Sequence, residues 1–210
     1  MNNEIKLSNL ELELQKALKY INANWSMQNN FYDYRSNFIY KVNSVDECIS
    51  QAQENNISTD YAIHRWYNFK TSKQCENIFV EYGADPELDE KNKEIDIYIN
   101  NIPFDVKLTV YPNALKEHPY DLKTRDGKNQ MIRWLYEHQS QQGRKHLKNR
   151  LFIVCDGKNQ YESLCLKSDF TQIRKKILLY LETTKKGFNE LKIYDNGKEY
   201  IVQSDIIYIN

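Results

Sequence analysis

Only four prolines and six glycines punctuate the 210 residues, far too few for a collagen-like or low-complexity chain. Cysteine is as sparse. Cys48, Cys75, Cys155 and Cys165 lie far apart, form no C-x-x-C pair and sit among apolar neighbours. That spacing excludes a disulfide framework and a structural zinc site, and it predicts buried thiols in a reducing compartment. No apolar stretch approaches the roughly 20 residues of a membrane span. The start, MNNEIKLSNLELELQ, carries acids where a signal peptide needs a basic end and an apolar run. The expectation is a cytoplasmic protein with no membrane partner. A charge of one sign is missing too: 29 Lys+Arg balance 29 Asp+Glu, without the basic excess of many small nucleic-acid-binding domains.

What is present is 40% hydrophobic and 13% aromatic content, which excludes disorder. A chain of this size buries roughly 70% of its unfolded surface, so a core needs no staples. The 23 Asn, with abundant Lys, Ile and Tyr, point to an AT-rich coding bias before any function.

Apolar residues at three- and four-residue steps from Leu7 to Ile21 predict a helix over 4–22. Ser44 with Glu47 forms a capping box for a helix to about Gln53. Ser58-Thr59-Asp60 opens a third helix, with a stripe from Ile63 to Tyr82 and Gly83 as its left-handed stop. Residues 94–99 and 102–110 then alternate apolar with polar around Asn100-Asn101, which predicts a hairpin. Residues 111–126 read as a loop, 129–142 as a helix, 151–155 as a buried strand, 169–181 as a helix and 191–208 as a closing hairpin around Asn196-Gly197. The pattern is a mixed α/β domain over 59–210 with a helical N-terminal extension over 1–58.

The hairpin register turns this pattern into geometry. With a two-residue turn, Ile99 faces Ile102, Ile97 faces Phe104, Ile95 faces Val106 and Asp96 faces Asp105. The six apolar residues share one face, and Glu94, Asp96, Asp105, Lys107 and Thr109 share the other. Two opposed carboxylates repel, so something positive belongs between them. A divalent metal meets that need, and oxygen ligands with no thiolate or His cluster point to magnesium or manganese. Lys107 stands beside it, suited to hold a phosphate oxygen, to help deprotonate a water nucleophile or to offset charge developing on a phosphorane-like transition state. The alternative for the same residues is a solvated strand face in which Lys107 pairs with Glu94 or Asp105.

Asp96, eight intervening residues and Asp105-Val106-Lys107 resemble the active site of the PD-(D/E)xK nuclease superfamily. Lys-Glu-Ile-Asp-Ile-Tyr-Ile followed by Ile-Pro-Phe-Asp-Val-Lys is similar to the "EID…FVEVK" form of that motif, with Ile95 in place of the name-giving Pro. The likeness covers about residues 60–155. The (D/E)xK tripeptide alone carries little, since it occurs seven times here; only the one at Asp105 sits mid-strand with a second Asp opposite.

The resemblance implies a restriction-endonuclease-like core, a mixed central sheet flanked by helices, and a Mg2+ or Mn2+ cofactor held by Asp96, Asp105 and an upstream helix carboxylate. Glu76 matches that position, with Glu81 its competitor. Lys107 would assist the water. Gln130 and Arg133, on the helix after the metal strands, are candidate substrate contacts, with surface solvation the alternative. Arg144, Lys145 and Lys148, in the basic run 144–150, suit phosphates or a solvated helix end. Tyr111, Tyr120, Trp134 and Tyr136 stack on bases or build core.

The implied activity is hydrolysis of DNA by an endonuclease of restriction or mobile-element defence type, uncoupled from a helicase because no P-loop is present. Two cuts on a duplex would call for a homodimer. A catalytically silent binding module on the same fold, or an RNA-cleaving member, are the alternatives. The zero net charge conceals a cancellation: 76–107 holds nine acids and three bases, whereas 116–150 holds nine bases and four acids.

Overall fold

Asn100 and Asn101 both take positive φ, 52° and 63°, and so do Asn196 and Gly197, at 48° and 75°. Two successive left-handed residues make the type I′ turn whose twist matches paired strands, and Asn and Gly tolerate it best. In the computed structural model these turns organise the sheet. The structure describes residues 2–22, 29–89, 92, 94–138 and 147–210. In chain order the elements are α1 (Asn2–Leu18), α2 (Asn30–Arg35), α3 (Val45–Glu54), α4 (Thr59–Glu81), β1 (Asp85–Pro86), β2 (Ile97–Ile99), β3 (Ile102–Val110), α5 (Arg125–Glu137), β4 (Arg150–Cys155), α6 (Gln160–Leu166), α7 (Phe170–Thr184), β5 (Glu190–Asp195) and β6 (Lys198–Ile209), with 3-10 turns at Asn37–Tyr40 and Asn113–Leu115.

By their contacts the residues fall into two compact units: Met1–Lys73 with Gly157–Asp169, and Gln74–Asp156 with Phe170–Asn210. The division falls inside α4 rather than at residue 58. Sequence periodicity could not see this, because the apolar stripe of α4 continues unbroken across it.

The first unit is helical. Ser44 Oγ accepts the Glu47 N–H at 3.2 Å, while the Glu47 carboxylate reaches Asn43 N–H at 2.8 Å, one residue earlier than in a strict capping box. Tyr67 and Trp66 of α4 are fully buried; Tyr67 donates to the Leu164 carbonyl at 2.7 Å, which ties α6 into this unit. No periodicity in the sequence predicts α6. It is one of the shorter helices, begun by the Asn159 side chain on Glu162 N–H.

The second unit carries a six-stranded mixed sheet in the order β1-β2-β3-β4-β6-β5. β1, β2 and β3 form an antiparallel meander, β3, β4 and β6 run parallel, and β5 returns antiparallel to β6. Every residue of β4 is buried, as a central strand covered on both faces requires. Met131, Ile132 and Tyr136 of α5 pack with Phe152, Val154, Leu191, Ile193, Val202 and Ile206 in one core, and α7 packs against β6. α5 starts four residues earlier than its periodicity suggests, because Thr124 caps Gly127 N–H at 3.1 Å; residues 139–142 of the expected helix lie outside the described residues. Cys48, Cys75 and Cys155 are buried free thiols, whereas Cys165 is half-buried. Among the described residues no helix is long and apolar enough to cross a membrane.

Candidate functional site

The β2–β3 ladder has the register the turn dictates: Ile97 opposite Phe104, Tyr98 opposite Pro103, Ile99 opposite Ile102. Ile97, Ile99, Phe104 and Val106 are buried, and Ile95 and Ile102 are half-buried. The ladder stops one pair short of the expected Asp96–Asp105 pairing. Asp96 sits in a bend, its N–H donating to the Phe104 carbonyl at 2.9 Å. Its Oδ2 accepts the Val106 N–H at 2.7 Å, so the side chain itself reaches across to β3.

Burial pushes the Asp96 carboxyl up, and the Glu76 carboxylate pushes it further; the Val106 N–H and the Lys107 ammonium pull the other way, and Asp105 adds to the rise. The outcome is a value of about 7. Desolvation and like charge of this size make Asp96 a candidate functional position. Glu76, from the second-unit end of α4, is therefore within electrostatic reach of Asp96. Its competitor Glu81 is engaged elsewhere, by the Arg174 guanidinium.

Asp105 is buried, and two cations meet it. Lys107 Nζ pairs with its Oδ1, and Arg150 Nε lies 2.9 Å from its Oδ2. The parallel register sets Asp105 directly opposite Arg150, so the two side chains share a face. Arg150 also lies over the ring of Tyr136, 5.9 Å from guanidinium carbon to centroid, and Tyr136 donates its hydroxyl to the Lys148 carbonyl. Asn149 stitches the strand starts together: its Nδ2 donates to Pro103 O at 3.2 Å, and its Oδ1 accepts Gln203 N–H at 2.8 Å. Positive charge beside Asp105 is thus supplied by Arg150 and Lys107, and of the two only Lys107 also acts on Asp96. Among the described residues no group of three or more His, Cys, Asp or Glu gathers as a metal-ligand set.

Arg150 was legible only as the end of a basic run. Its role depends on β3 and β4 pairing in parallel, which nothing local signals. The other basic candidates divide. Lys148 forms an ion pair with Glu94 at the exposed rim, and Arg144 and Lys145 lie outside the described residues. Gln130 donates to Asp126 on its own helix at 3.0 Å, and Arg133 is exposed on α5; among the described residues no hydrogen bond or ion pair joins either to Asp96 or Asp105. The aromatic candidates are core: Tyr111 and Tyr136 belong to the α5 cluster, and Tyr120 and Trp134 pack against it, Trp134 stacked on His138.

The arrangement offers a proton-hungry carboxyl beside a second carboxylate, and a half-exposed ammonium fixed next to both. Such a constellation can bind a cation and a phosphate oxygen side by side. No protein-family model, no curated protein and no solved structure matches the chain.

Proposed function

We propose that this chain is a metal-dependent nuclease that hydrolyses phosphodiester bonds in DNA, an endonuclease of restriction or mobile-element defence type acting in the cytoplasm. The observation that carries the reading is Asp96. Its carboxyl is raised to about 7 with Glu76 and Asp105 adding to the rise and Lys107 opposing it, which brings all four motif residues into one electrostatic neighbourhood. The order α4-β1-β2-β3-α5-β4, with a meander followed by a parallel crossover, agrees with the restriction-endonuclease-like core that the motif implies.

Mg2+ or Mn2+ fits the donors present. Magnesium takes one or two carboxylates and completes its shell with water and substrate oxygens, so Asp96 with Glu76 or Asp105 suffices without a three-residue cage. Bound there, the metal supplies Lewis-acid polarisation of the phosphate and a more acidic water. The protein's own residues do the rest. Asp96 Oδ2 is held by the Val106 N–H, which fixes its rotamer. Lys107 Nζ is placed to donate to a non-bridging phosphoryl oxygen as charge develops there. Arg150 holds Asp105 in place from the buried side. Water attacks phosphorus in line and releases a proton to solvent as the new P–O bond forms; the P–O bond to the leaving sugar oxygen breaks, and that oxygen takes up a proton from solvent. The basic run around Lys148 would meet flanking phosphates, and a homodimer would supply the second cut.

A second reading, a catalytically silent DNA-binding or interaction module, is favoured by one observation: both oxygens of Asp105 are already engaged by cations. One assay separates the two. Supercoiled plasmid, single-stranded DNA and RNA are incubated with MgCl2 or MnCl2 and wild-type protein, Asp96→Ala, Asp105→Ala or Lys107→Ala. The nuclease reading expects plasmid cleavage that all three variants lose. Equal cleavage by all four refutes the site, no cleavage by wild type supports the silent module, and cleavage of RNA alone reassigns the substrate.

A further inference from the structure

β5 stops with Glu190 opposite Gln203, so β6 from Ser204 to Ile209 has no strand on that edge among the described residues. The start of α5, the last turns of α7 and this open edge line a solvent-open cavity of about 400 Å³. That is the size of a small-molecule site. Four cationic side chains, Lys123, Arg125, Lys128 and Lys176, line it, against one carboxylate side chain, that of Asp205.

The carboxylate is already satisfied. Asp205 is buried; its Oδ2 pairs with Arg125 at 2.9 Å, its Oδ1 accepts the Ile206 N–H at 2.8 Å and lies 4.0 Å from Lys128 Nζ. Lys128 spends its ammonium on the Ile206 carbonyl at 2.7 Å, satisfying one acceptor of the open edge. Lys123 and Lys176 are left with no ion pair or side-chain hydrogen bond among the described residues. The cations also crowd one another: Arg125 and Lys176 both help to lower the proton affinity of Lys128, after burial. Arg125 opens α5, so the positive end of the helix adds to the field.

Excess positive charge in a cavity invites an anion, and the rest of the lining says how large. Leu122, Leu179 and Ile207 form an apolar wall. Tyr180, only 9% exposed, lines the cavity with a phenol that has no hydrogen-bond partner among the described residues. The hydroxyl is open to the cavity, where it can donate to a ligand atom.

We infer that this sheet-edge cavity binds a phosphorylated molecule of nucleotide size, its phosphates on Lys123, Lys176 and Arg125 and its uncharged part against Leu122 and Leu179, with Tyr180 donating to it. The site shares no residue with Glu76, Asp96, Asp105 and Lys107 and does not depend on the nuclease reading.

Calorimetric titration of the full chain tests it, with ADP, inorganic pyrophosphate and adenosine as probes at fixed salt. ADP and pyrophosphate should bind saturably and adenosine should not. Lys123→Ala/Lys176→Ala should weaken ADP by about tenfold or more, the scale of a lost charge-assisted bond, while its urea unfolding curve stays that of wild type. Tyr180→Phe should weaken ADP but leave pyrophosphate unchanged. No saturable binding of ADP or pyrophosphate overturns the inference, as does ADP binding that the double variant leaves intact. A single-stranded oligonucleotide that binds through the two lysines when ADP does not would also overturn it, moving the phosphates to a nucleic-acid backbone.

Discussion

The Oδ2 atom of Asp96 accepts the backbone N–H of Val106 at 2.7 Å, so a side chain from the bend just before β2 takes the place of a ladder partner for β3. This bond keeps a carboxyl that is costly to ionise fixed over the strand that carries Asp105 and Lys107.

Asp96 should make the fold less stable as pH rises. Its carboxyl titrates near 7 when folded and near the ordinary value of about 4 when unfolded, so the unfolded chain ionises first. The stabilisation is complete below about pH 4 and is lost as pH climbs towards about 7. Asp96→Asn keeps an acceptor for Val106 and removes the titration. Urea unfolding at pH 5, 6, 7 and 8 should show the variant gaining roughly 2 kcal/mol on wild type at the alkaline end.

Divalent metal should reverse that trend. A cation at Asp96 and Glu76 favours the ionised carboxyl, so MgCl2 or MnCl2 should raise the melting temperature, and more at pH 8 than at pH 6. Asp96→Asn should respond far less. Equal shifts in wild type and variant, read by differential scanning fluorimetry, would place the metal elsewhere.

Lys107 and Arg150 both pair with Asp105, yet their removal should have opposite signatures. Lys107 is 47% exposed, so Lys107→Ala should change stability by less than about 1 kcal/mol while abolishing plasmid cleavage. Arg150 is 7% exposed, and Arg150→Met leaves a buried carboxylate short of its partner, at a cost of about 3 kcal/mol. Adding Asp105→Asn to Arg150→Met should recover much of that loss, which a double-mutant cycle measures.

Gly127 should resist substitution. A Cβ there would overlap the Asp121 carbonyl, which belongs to the loop that leads into α5. Gly127→Ala should cost about 2–3 kcal/mol by overpacking, although alanine is the better helix former. Thermal unfolding of this one variant checks it.

Much of the hairpin was readable in one dimension. Asn100-Asn101 sets the turn, alternation sets the face, and together they give the register of Ile97 with Phe104. The short pieces were not readable: β1 has only two residues, and α6 lies where no long apolar period announces it. Glu76 and Glu81 stand on the same helix with equal local claims. They are told apart only because Arg174 meets one and Asp96 feels the other.

By itself the sequence determined whatever depends on neighbours along the chain: the caps, the two I′ turns, the alternation of β2 and β3, and the spacing of Asp96, Asp105 and Lys107. Only the tertiary structure decided which distant charges meet. The parallel pairing of β3 with β4 delivers Arg150 to Asp105, and the open edge of β6 gathers Lys123, Arg125, Lys128 and Lys176 around one cavity. The reason is physical. Turn and strand preferences are local energies, whereas a buried ion pair or a charged cavity arises from strand order, which the 44 residues of intervening chain between Asp105 and Arg150 leave free until the sheet has formed.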